Sequence, residues 1–119
     1  MDILKINQIL EVAPAKIAEY AEKENASYAE MIKGDHAYRQ ERARAYLRLK
    51  AEGGKAIKDI EYILDDSKEL GGIKAKTLEA EIAYRAWKTK KNKAQDSLQS
   101  VMEIGRNVRA ELKSLGDNT

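Results

Sequence analysis

Ile73, Ala80, Trp87, Ala94, Val101, Val108 and Leu115 fall at seven-residue intervals along the C-terminal part of the chain. Tyr84, Leu98 and Leu112 stand four residues after members of that series. A pattern sustained over so many turns puts a narrow apolar seam on one side of a long helix. Some forty helical residues span about 60 Å at roughly 1.5 Å each, so the helix needs a second long helix beside it, from this chain or another subunit. Thr77, Lys91 and Gly105 interrupt the seam's secondary positions. Lys91 reads as a snorkelling or register-setting cation, and Gly105 as a point of close helix approach.

The upstream pattern is shorter in range. Ile3, Ile6 and Leu10 recur at helical spacing, which predicts a short amphipathic segment over 1–12 ahead of Pro14. Proline suits the first turn of a new helix, where its missing N–H has no partner to lose. Ile17, Ala21, Tyr28 and Ile32 mark the apolar side of the next stretch, with a stop expected near Gly34 and Asp35 capping the next helix. One bent helix running through Gly34 is the alternative, since a lone glycine costs about 1 kcal/mol there. Tyr38, Tyr46, Leu47 and Leu49 sit in an arginine-rich run that ends at Gly53-Gly54. Ile57, Ile60 and Leu64 then mark a short helix, with a further break expected at Gly71-Gly72. The expected fold is all-α: an elongated helical hairpin or small bundle with a long C-terminal amphipathic helix. Residues 14–116 form one expected helical domain, and 117–119 an expected frayed tail.

Composition agrees with helices. Alanine, glutamate, lysine and arginine abound, phenylalanine is absent, and β-branched runs are few. An apolar share of 43% argues against a wholly disordered chain, although 35% charged residues is high for a self-sufficient core. No run approaches the roughly 20 apolar residues of a membrane span. The start, MDILKINQILEV, lacks a basic leader and a small-residue cleavage site, so no signal peptide is expected. Without cysteine there is no disulfide, thiolate nucleophile or cysteine metal site, and a reducing, cytoplasmic setting is the simplest expectation.

Catalytic patterns are missing too. His36 stands alone and reads as a surface or capping residue. Glu61, Asp65, Asp66 and Glu69 form an acidic cluster best read as solvated charges or salt bridges. The serines have no nucleophile–histidine arrangement, and no phosphate-binding glycine loop is present. A non-enzyme with no cofactor and no metal is expected.

The formal net charge of +2 conceals alternating blocks. Residues 1–34 carry −2, 35–50 carry +3, 51–70 carry −3, 71–95 carry +5, and the remainder −1. The first basic block holds Arg39, Arg42, Arg44 and Arg48 with Tyr38 and Tyr46 interleaved. The second holds Arg85, Lys88, Lys90, Lys91 and Lys93, beside Tyr84 and Trp87, with no acid between Ile82 and Asp96. Guanidinium forks grip phosphates, repeated cations track a polyanionic backbone, and aromatic rings stack on exposed bases. These residues are therefore candidates for nucleic-acid contact, with the tyrosines and Trp87 as stacking or interface residues. A structural or solubilising role competes for both blocks.

The stretches YRQERARAYLRLKAEGG and LEAEIAYRAWKTKKNKAQDSLQSVMEIGRNVRAEL resemble the small helical phage recombination mediators of the UvsY-like class. They cover somewhat under half of the chain. Arg39, Arg42, Arg44 and Arg48 match the character of a basic first arm, and Tyr84 and Trp87 that of an aromatic later arm. Tyr84 and Trp87 are separated by two residues, whereas the family pattern has them adjacent. The resemblance implies a homo-oligomer in an infected bacterial host that binds single-stranded DNA. It also implies a protein that helps a recombinase replace single-strand-binding protein. The alternative from the residues alone is a helical assembly or inhibitor protein whose basic surface meets an acidic protein partner.

Overall fold

A computed structural model describes residues 2–117. Among them every regular element is helical: α1 spans Ile3–Glu52, α2 spans Ile57–Asp65 and α3 spans Lys68–Asp117. The fold is therefore all-α, with α3 as the long C-terminal helix. The fraying expected over 117–119 falls on Asn118 and Thr119, which lie outside the described residues, while α3 itself reaches Asp117.

Local chemistry explains where the helices start and stop. The Asp2 carboxylate accepts a hydrogen bond from the Leu4 N–H at 3.2 Å, satisfying one of the first-turn donors of α1. At the other end Gly53 and Gly54 adopt φ of 76° and 75°, a left-handed conformation that glycine reaches without steric cost. The second break does not fall at Gly71-Gly72, where the sequence placed it. It falls at Asp66-Ser67, because the Ser67 hydroxyl accepts from the Leu70 N–H at 3.2 Å and so caps α3. Gly71 and Gly72 are carried inside the helix, where Leu70 is buried and Ile73 half-buried beside them.

Two further expected breaks are absent. Pro14 lies inside α1, so no separate segment ends before it. The residue cannot donate to the Leu10 carbonyl, yet the inward positions Leu10, Ala13 and Ile17 continue through it. Gly34 does not stop the helix either; it allows close packing. A Cβ at Gly34 would run into Thr77 Oγ1, which itself donates to the Ile73 carbonyl at 2.9 Å. Asp35 consequently caps nothing and pairs with Arg39 at 3.2 Å one turn on.

The seam expected on α3 is present. Residues 70, 73, 77, 80, 84, 87, 91, 94, 98, 101, 105 and 108 are all buried or half-buried, although Leu112 and Leu115 are exposed. A matching 3–4 series runs along α1 through positions 6, 10, 13, 17, 20, 24, 27, 31, 34, 38, 41 and 45. It shifts the inward side of α1 from Tyr28 and Ile32, both exposed, to Glu24, Ser27 and Met31.

The chain groups into two compact units. Unit 1 combines Met1–Lys23 with Ala86–Thr119, and within it Ile6 lies against Gly105 and Tyr20 against Trp87. Unit 2 is Glu24–Arg85, where Gly34 meets Thr77 and Tyr28 meets Tyr84. In each unit the pairings run in opposite directions along the two long helices, so they pack antiparallel. Unit 2 alone contains α2, which buries Ile60 and Leu64 with Leu70 against Tyr38, Ala45, Tyr46 and Leu49. No described helix is long and apolar enough to cross a membrane.

Candidate nucleic-acid interface

The first basic block lies on α1 within unit 2. Three of its arginines are held by carboxylates: Arg39 by Asp35 at 3.2 Å, Arg44 by Glu41 at 2.9 Å and Arg42 by Asp65 at 3.0 Å. The first two pairs lie within one helix turn and leave the guanidinium heads in solvent, with Arg39 78% and Arg44 71% exposed. Such pairs hold side chains only weakly, so the arginines remain accessible to another anion. Arg42 differs. It bridges from α1 to the end of α2, is 30% exposed, and also donates to the Tyr38 hydroxyl at 3.4 Å. The hydrogen bond to Asp65 raises its guanidinium above the ordinary arginine value. Arg42 is thus a tertiary tie, whereas Arg48 is an exposed cation.

In the second block Arg85 belongs to unit 2 and pairs with Glu81 at 2.8 Å. Lys88, Lys90, Lys91 and Lys93 belong to unit 1. A run in sequence is not a patch in space here. At about 100° per residue Lys90 and Lys93 lie some 60° apart, and both are far round the helix from Lys88. Lys91 is half-buried in the seam, while the other three lysines are exposed.

The aromatic candidates have structural employment. The Trp87 ring stacks on Tyr20 at 5.9 Å and 29°. Lys23 and Lys90 place their Nζ atoms 4.4 Å and 4.8 Å from its centroid, within cation–π range. Tyr84 packs on Tyr28 at 5.2 Å. Tyr38 and Tyr46 pack against the Ile60–Leu64–Leu70 core, and the Lys74 ammonium lies 5.7 Å from the Tyr38 ring. Trp87 is thus already engaged by one ring and two ammonium groups.

Other candidates resolve simply. His36 is exposed in mid-helix. Asp65 turns to Arg42, and among the described residues no three histidine, aspartate or glutamate groups converge as metal ligands do. An open groove of about 460 Å³ is lined by Arg39, Arg42, Ala43, Tyr46 and Leu47 of α1 and by Glu61 and Leu64 of α2. Sequence reasoning missed Tyr20, Lys23 and the buried Glu24. The signal for Tyr20 was the seven-residue recurrence of positions 6, 13, 20, 27, 34 and 41, masked by Ser27, Gly34 and Glu41 within it; Glu24 stands four residues after Tyr20, and Lys23 falls outside the series. Compared with known proteins, the chain matches no family model, no curated protein and no solved structure.

Proposed function

We propose that the protein is a non-catalytic accessory factor that binds single-stranded DNA through its phosphates. In this reading it acts in the cytoplasm of an infected bacterial host, helping a recombinase to replace single-strand-binding protein as the UvsY-like resemblance implies. The observation that carries the proposal is the contrast between cations and rings. Arg39, Arg44, Arg48, Lys88, Lys90 and Lys93 are exposed, while Trp87 and the three tyrosine candidates are engaged in packing. Phosphate contact is therefore favoured over base stacking, and binding should be indifferent to sequence. The groove, whose lining sets Arg39 and Arg42 against the single carboxylate of Glu61, supports a second reading, in which an acidic protein segment is the partner.

Titration of a labelled single strand and of a matched duplex at several salt concentrations tests the proposal. Log affinity for the single strand should fall linearly with log salt, and each phosphate contact removed should lower the slope by about 0.7. Arg39→Gln and Lys93→Gln should each flatten it in that way, with helicity unchanged. Absence of single-strand binding at low salt, or binding that ignores both substitutions, overturns the proposal.

A further inference from the structure

Within unit 1 the ring of Tyr20 on α1 stacks on that of Trp87 on α3. Each ring is followed three residues later, on its own helix, by a lysine: Lys23 on α1 and Lys90 on α3. The two helices run antiparallel, so equal offsets from residues that face each other fall on one side of the pair. Both ammonium groups do reach the same ring. Lys23 Nζ lies over Trp87 at 4.4 Å from its centroid, and Lys90 Nζ at 4.8 Å. They stand no farther apart than those two distances laid end to end.

Two like charges gathered on one ring need a reason. The indole face attracts each ammonium group only weakly at an exposed site, while the two cations repel one another. Both lysines are exposed. The Glu19 carboxylate lies 3.3 Å from Lys23 Nζ, but it is 56% exposed and its hold is screened by solvent. One such carboxylate does not balance two ammonium groups. Further exposed lysines extend the array along both helices: Lys16 stands seven residues before Lys23 on the same side of α1, and Lys93 three after Lys90 on α3.

We infer that Lys23 and Lys90 form a clamp for one phosphate group, with Trp87 as the platform that gathers them. An anion entering between the lysines supplies opposite charge where the cations otherwise face each other. Lysine binds phosphate as a point charge, and a tetrahedral phosphate offers oxygens to two separated ammonium groups at once. A planar carboxylate is matched better by a guanidinium fork. The long side chains lose little further freedom on binding, because the ring already confines them. Trp87 is therefore a positioning residue. The inference rests on the phosphate-contact reading for the class of its ligand, and it adds Lys23, which lies outside both basic blocks.

Trp87 is the only tryptophan of the chain, so its emission reports on the clamp. The full chain is titrated with a labelled oligothymidylate and, separately, with inorganic tripolyphosphate, reading Trp87 emission beside the label's anisotropy. Both ligands should shift the emission saturably as the ammonium groups turn from the ring to phosphate. Lys23→Gln and Lys90→Gln should each reduce the shift and lower the salt slope for the strand by about 0.7. The double variant should abolish the shift. Lys113→Gln removes the same charge far along α3 and should leave the shift unchanged. Circular dichroism checks that the helices of every variant are intact. Emission that stays still with both ligands, or a shift indifferent to both lysine substitutions, overturns the clamp. A strand that still binds by anisotropy in that case leaves the DNA reading standing. A shift with tripolyphosphate but no binding of the strand upholds the clamp and removes the DNA reading, whereas a shift with the strand alone assigns the clamp to the phosphodiester backbone. Oligoglutamate that moves the emission as far as tripolyphosphate overturns the phosphate assignment in favour of an acidic protein.

Discussion

Units 1 and 2 are built from the same antiparallel pairing of a 3–4 seam, yet they bury their side chains to different depths. In unit 2 the short α2 lies over the long helices and closes a cluster in which Ile60, Leu64 and Leu70 are 1–4% exposed. Among the described residues unit 1 has no third element. Its buried hydrophobic residues are Ile6 and Val101, and much of its seam is filled by half-buried groups such as Tyr20, Trp87 and Leu98. Two helices shield only the line between them; a third converts that line into a core. Ring stacking and cation–π contacts around Trp87 do in unit 1 part of what aliphatic burial does in unit 2.

The sharpest way to break this difference is to empty the core of unit 2. Ile60→Ala removes a side chain that is 1% exposed and should cost about 2–5 kcal/mol, the usual range for truncating a buried isoleucine. Urea denaturation should show the loss as a lower midpoint. Hydrogen exchange should show faster opening across 24–85 than across unit 1. Equal acceleration in both units would mean that they unfold as one cooperative body.

Two glycines sharpen the comparison with opposite signs. Alanine at Gly34 would place a methyl group into Thr77 Oγ1 and 3.2 Å from Thr77 Cβ, so overpacking should outweigh helix propensity and destabilise by about 1–3 kcal/mol. Adding Thr77→Ala should recover part of the loss by removing the clashing hydroxyl. At Gly105 in unit 1 the new Cβ would sit 3.5 Å from Ile6 Cγ2, an ordinary contact. Gly105→Ala should therefore stabilise by about 0.5–1 kcal/mol. Thermal midpoints of the two variants on either side of the wild type would establish the distinction. A stabilised Gly34→Ala would show that the helices separate there without cost.

Much of the fold is legible in the sequence where apolar periodicity is strong. The α3 seam can be traced from Ile73 to Val108, and Gly53-Gly54 marks the end of α1 because nothing bulkier turns there as easily. The α1 seam is harder to read because Glu24, Ser27, Gly34 and Glu41 occupy inward positions. Tyr28 and Ile32, though exposed, imitate an apolar side. Proline and glycine mislead for a related reason. Their local penalties are about 3 and 1 kcal/mol, which the packing of a fifty-residue helix overrides at Pro14 and Gly34. Of the candidate site, residue identities and charge blocks are visible beforehand. The engagement of Trp87 with Tyr20 and Lys23 is not, since it depends on which α1 residues face α3.

The smallest expected effect concerns the ionic tie between Arg42 of α1 and Asp65 of α2. Arg42 and Asp65 are 30% and 66% exposed, so solvent screening limits their coupling to about 0–1 kcal/mol despite the 3.0 Å contact. A double-mutant cycle with Arg42→Gln and Asp65→Asn, read by urea denaturation, isolates that coupling from the loss of each side chain's other contacts. The pH dependence has a definite sign on the arginine side. Asp65 raises the Arg42 guanidinium above its ordinary value, so this contribution is complete below the ordinary arginine range and lost only as pH rises through the raised value. Between about pH 6 and 9 the guanidinium stays charged and the coupling should not change. A coupling well above 1 kcal/mol would identify the ion pair, rather than Ile60 and Leu64, as what fastens α2 to the long helices. A value near zero would leave apolar burial as the whole difference between the two units.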